Sequence, residues 1–143
     1  MTARRSVSAT RVIAAPASAI FALLADPRQH ATFDGSGSLQ AIKEGPPRLF
    51  LGATFAMNMK MGVPYFTRNV VVDFVENRTI AWHHFARCVW RYELEGVPGG
   101  TRVTESFTYD KPVGLVVMAM GFPERNRLAI EATLERLETL VTS

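Results

Sequence analysis

The chain has 143 residues, of which 48% are hydrophobic and 20% charged, so extensive disorder is excluded. One globular domain over residues 1–143 fits that length, with a core large enough to need neither a disulfide nor a structural metal. The net charge of +3 is scattered, with Arg4-Arg5 the one adjacent basic pair, so the basic stripe of a nucleic-acid binder is missing and no nucleic-acid partner is expected.

Cys88 is the single cysteine, which rules out an intrachain disulfide and a CxxC zinc site. Met1 to Val12 carries no apolar stretch of signal-peptide length. The longest apolar run, Val113 to Met120 and then Gly121 and Phe122, falls far short of the roughly 20 residues that span a bilayer. The expectation is a cytoplasmic protein with no membrane span.

Ser6 to Ala14 reads as a first strand. Pro16 then opens a short helix over Ala17 to Ala25, with Ile20, Phe21, Leu23 and Leu24 at helical spacing. Pro27 to Phe33 can form a second short helix, stopped by Asp34-Gly35-Ser36-Gly37. The period then changes to two. Strands are predicted over Ser38 to Glu44, Thr54 to Met61, Tyr65 to Glu76, Thr79 to Phe85, Cys88 to Glu95 and Thr101 to Tyr109. Glu76-Asn77-Arg78 reads as a tight turn, and Gly96 to Gly100 as a five-residue hairpin loop. Ile130, Leu134, Leu137 and Val141 mark one face of a long helix over Glu124 to Val141.

This order gives an α+β fold: a curved antiparallel sheet of six or seven strands around one C-terminal helix, with two short helices after the first strand. Between a curled sheet and a single helix there is room for an apolar small molecule.

Several segments carry a family resemblance. They are Ile13-Ala-Ala-Pro16 leading into Phe21-Ala-Leu-Leu-Ala-Asp-Pro27, the Asp34-Gly-Ser-Gly37 loop, Met61-Gly-Val-Pro64 and Ile80-Ala-Trp82. Gly100-Thr-Arg-Val-Thr-Glu-Ser-Phe107 and Met120-Gly-Phe-Pro-Glu-Arg-Asn126 complete the set. Across essentially its whole length the chain resembles the START-like (SRPBCC, helix-grip) superfamily, which includes the birch pollen allergens, and in particular its bacterial polyketide cyclase/dehydrase branch. The resemblance implies a helix-grip fold that binds a hydrophobic ligand: aromatic, polyketide-like or lipid-like. Some members cyclise or dehydrate such compounds, while others are chaperone activators or toxin-like modules that act by protein interaction. Because one fold hosts all of these, function has to be argued from the site.

Strand alternation suggests which side chains face the interior. Val70, Val72 and Phe74 are read as inward because Asp73 prefers water. Val103, Phe107 and Tyr109 share a face that includes Glu105, while Trp90, Tyr92 and Leu94 share one, as do Ile80, Trp82 and His84. On this reading Glu105, His84, Tyr92 and Arg68 are polar groups on an apolar wall. A buried carboxyl beside a histidine could exchange protons with it, which suits enolisation, aldol cyclisation or loss of water, so Glu105 and His84 are the candidate catalytic pair. The competing reading makes Glu105 half of a cross-strand ion pair with an arginine.

Met57, Met59, Arg68, Trp82, Trp90, Tyr92 and Phe107 are the candidate ligand contacts, since thioethers and flat rings adapt to greasy molecules. His83 and His84 point to opposite faces of a regular strand and cannot share one ion, so neither a metal nor another cofactor is expected. Pro112 and Pro123 bracket the uncharged run Val113 to Phe122, which reads as core, as a lid over the cavity, or as an oligomer contact.

Overall fold

The computed structural model describes residues 4–37, 39–83, 88–110 and 122–142. Its elements are β1 (Arg4–Ile13), α1 (Ala17–Leu24), a 3-10 turn (Pro27–Gln29), α2 (His30–Phe33), β2 (Leu39–Glu44), β3 (Thr54–Met61) and β4 (Val63–Val75). They continue with β5 (Thr79–His83), β6 (Val89–Val97), β7 (Gly100–Asp110) and a C-terminal helix, α3 (Phe122–Thr142). The seven strands form one antiparallel sheet in the order β1-β7-β6-β5-β4-β3-β2. The first strand returns beside the last, and the rest follow as a meander. This is the α+β helix-grip architecture expected from the sequence.

Two local departures from expectation bear on the site. The five-residue loop between β6 and β7 is in fact a two-residue turn, Pro98-Gly99, because β6 continues through Gly96 and Val97. Gly99 takes the left-handed φ of 92° that such a turn favours in glycine. The second departure is in β4, where the register against β5 shifts between Val71 and Asp73. This bulge overturns the expected phase: Asn69 and Val71 are buried, Val72 is 41% exposed, and Phe74 meets the Phe21 ring edge-on at 5.4 Å.

Helix α3 places Ile130, Leu134 and Leu137 against β1 and β7, where they bury Ile13 and Val103. Arg11 of β1 anchors the helix with a hydrogen-bonded ion pair to Glu138 at 2.9 Å. The Asp34–Gly37 loop also seats on α3. The Gly35 amide donates to Thr133 Oγ1 at 2.8 Å, and a Cβ at Gly35 would come within 2.6 Å of the Ala129 carbonyl oxygen. Only glycine allows so close an approach. Among the described residues no helix is long and apolar enough to cross a membrane.

Candidate functional site

The concave face of the sheet is a wall of aromatic and thioether side chains. Trp90 and Phe107 lie on paired strands with ring centroids 4.4 Å apart, and Phe107 meets Tyr109 at 5.6 Å. Trp82 contacts Tyr92 at 5.7 Å and Phe55 at 5.6 Å. Met57 is buried beside them and Met59 is partly buried. Toward the β3–β4 hairpin the same face reaches solvent, where Tyr65, paired with Met59, is exposed. The candidate contacts Met57, Met59, Trp82, Trp90, Tyr92 and Phe107 therefore share the interior face, as strand alternation places them.

Arg68 does not join them. It shares its parity with Val70 and points outward from β4, is 59% exposed, and pairs with Glu44 at 3.1 Å. Before the bulge, the inward positions of β4 are the odd-numbered ones, which puts Arg68 on the convex side. His84 lies outside the described residues, as does the run from Val113 to Gly121; Phe122 begins α3.

Glu105 stands in the middle of the wall, on β7, between Ala9 of β1 and Tyr92 of β6. It is 3% exposed. The Tyr92 hydroxyl hydrogen-bonds to its carboxyl, while Oε1 has no hydrogen-bond partner among the described residues. Burial pushes the Glu105 carboxyl well above the ordinary carboxylate range; the Tyr92 hydrogen bond acts against that rise, and the negative Asp34 adds to it. Burial also raises the Tyr92 phenol well above its usual value, with Glu105 and Asp34 adding to the effect.

The expected arginine partner for Glu105 is thus replaced by a tyrosine, and the hairpin explains why. A five-residue loop would set Arg91 opposite Glu105. The two-residue turn pairs Val97 with Gly100 and so brings Tyr92 there. Arg91 instead bonds Asp73 at 2.7 Å.

Two polar groups near this wall were not anticipated. His30 is fully buried, stacked on Trp82 at 4.9 Å and edged by Phe55 and Phe33. Its Nε2 lies 2.9 Å from the Leu24 carbonyl oxygen, to which a neutral ring donates. Burial lowers its pKa to about 4, against a smaller opposing effect of that hydrogen bond. Asp34, at the end of α2, accepts hydrogen bonds from the Ser36 amide and hydroxyl, and its carboxyl is raised chiefly by burial. Arg136 of α3 donates to the Asp34 backbone carbonyl.

On the convex face a polar depression lies between Arg78, Glu93, Glu95 and Arg102. It is already occupied by the Arg102–Glu95 ion pair and lies across the sheet from Glu105. Among the described residues no three His, Cys, Asp or Glu side chains converge as a metal site would require. Cys88 is buried immediately before β6.

The sequence matches the family described as polyketide cyclase / dehydrase and lipid transport over residues 4–142. An uncharacterized protein of Mycobacterium tuberculosis, Rv0088, is 39% identical over 138 residues, covering 92% of this chain and 62% of that protein. The chain thus spans about three-fifths of the length of that relative. Protein Ms6760 of Mycobacterium smegmatis superposes with a TM-score of 0.74 at 24% identity, over 96% of this chain and 90% of that one. The di-domain ARO/CYC StfQ from the steffimycin biosynthetic pathway superposes with a TM-score of 0.73 at 12% identity, over 97% of this chain and 51% of StfQ. At these identities the two structures speak for the fold alone.

Proposed function

Because the chain belongs to the polyketide cyclase / dehydrase and lipid transport family, we propose that it binds a hydrophobic small molecule, aromatic, polyketide-like or lipid-like, against the concave face of its sheet. One observation carries the reading. A continuous wall of Met57, Met59, Trp82, Trp90 and Phe107 runs from the solvent-open Tyr65 end to a buried carboxyl, Glu105. An apolar surface with one convergent polar group is the usual make-up of a ligand site. Glu105 is the group that would move a proton if the bound compound is cyclised or dehydrated, with His84 as its sequence-derived partner.

Both tryptophans of the chain are on this wall, so intrinsic fluorescence reports directly on occupancy. Titration with an environment-sensitive naphthalene dye should quench that emission saturably, with micromolar affinity on the order of −8 kcal/mol. A signal that rises linearly without saturation would reject the binding reading.

A further inference from the structure

The carboxyl of Glu105 is half used. Tyr92 engages it from the neighbouring strand, whereas Oε1 is buried with no partner among the described residues. A polar atom left dry and unpaired costs stability, so folded proteins rarely keep one without a use for it. Among the described residues the groups acting on Glu105 are Tyr92, whose hydrogen bond favours the carboxylate, and the acidic Asp34, which opposes it; burial, the largest influence, also opposes it. A carboxyl in such surroundings keeps its proton. Tyr92 donates to one oxygen, which leaves the acid O–H on the other, Oε1. The Trp90–Phe107 pair occupies the next row of the same face.

We propose that Glu105 Oε1 is a hydrogen-bond donor to a carbonyl oxygen of the ligand, so that the site selects neutral aromatic ketones over hydrocarbons of the same shape. This rests on the reading that the concave face binds apolar compounds. Tyr92 is the positioning residue: it fixes which oxygen is free.

The test compares methyl naphthyl ketone with ethylnaphthalene, which differ by a carbonyl in place of a methylene, on the full chain by tryptophan fluorescence. The ketone should bind about tenfold more tightly, the worth of one net hydrogen bond. Glu105→Leu should remove that preference and bring the two affinities together, at some cost in melting temperature because the buried Tyr92 hydroxyl loses its partner. Glu105→Gln, whose amide accepts from Tyr92 and still offers an N–H, should retain the preference. Equal affinities in the unaltered protein, or a preference that survives Glu105→Leu, would overturn the proposal. Failure of both compounds to bind would instead reject the underlying binding reading.

Discussion

His30 and Glu105 are both ionisable, both fully enclosed, and on opposite sides of the Trp82–Tyr92 contact, yet the fold treats them differently. His30 is satisfied: its ring is packed among Trp82, Phe55 and Phe33, and its Nε2 meets the Leu24 carbonyl. Glu105 is left with an unpartnered Oε1 among the described residues. Burial alone therefore does not mark a functional group. The difference lies in whether the fold completes the hydrogen bonds of what it buries. The histidine ties α1 and α2 to the sheet, and the glutamate keeps one oxygen that no described residue partners.

The contrast breaks most visibly under mutation of the satisfied partner. His30→Ala should empty the aromatic box and leave the Leu24 carbonyl dry, at a cost of roughly 2–4 kcal/mol by urea unfolding. A loss below roughly 0.5 kcal/mol would mean that His30 is not a structural tie.

The next largest effect is in pH. The folded His30 pKa lies near 4 while the unfolded chain titrates near 6.5, so the unfolded state takes up a proton first as pH falls. Stability should decline by about 3 kcal/mol between those values and level off below them. Glu105 has the opposite sign. Its carboxyl is raised in the fold, so the folded state holds the extra proton, and stability should fall as pH rises above the ordinary carboxylate value of 4.5. Asp34, whose carboxyl burial also raises, acts on the same carboxyl and contributes to that slope with the same sign. Glu105→Gln should reduce the fall in stability above pH 4.5, leaving the share of Asp34, and steepen the His30 decline between pH 6.5 and 4.5, where the two effects oppose each other. Unfolding curves that keep both slopes in that variant would assign the fall above pH 4.5 to another group.

The fold was legible from changes of period: two over the six consecutive strands, 3.6 over α3, and proline and glycine at the joints. The phase of β4 was not. Val70, Val71 and Val72 are equally apolar and carry no sign of which one faces the core, so the bulge that turns Val72 outward leaves no trace in composition. The Glu105–Tyr92 pairing was within reach, because a Pro-Gly turn bounded by Val97 and Gly100 sets the register of the whole hairpin. Reading Gly96 and Val97 as loop shifted that register by one residue. His30 was out of reach, since its surroundings come from Phe55 and Trp82, far along the chain, and nothing in Pro27–Phe33 shows that a histidine there is covered.

The most direct measurement is a carbon NMR titration of protein isotope-labelled at the glutamate side-chain carboxyls, with Glu105→Gln identifying the signal of Glu105. Glu105 should remain protonated at neutral pH, while the exposed glutamates have ionised, and its resonance should move when methyl naphthyl ketone is added. A Glu105 signal that ionises in the ordinary carboxylate range and ignores the ketone would contradict the account.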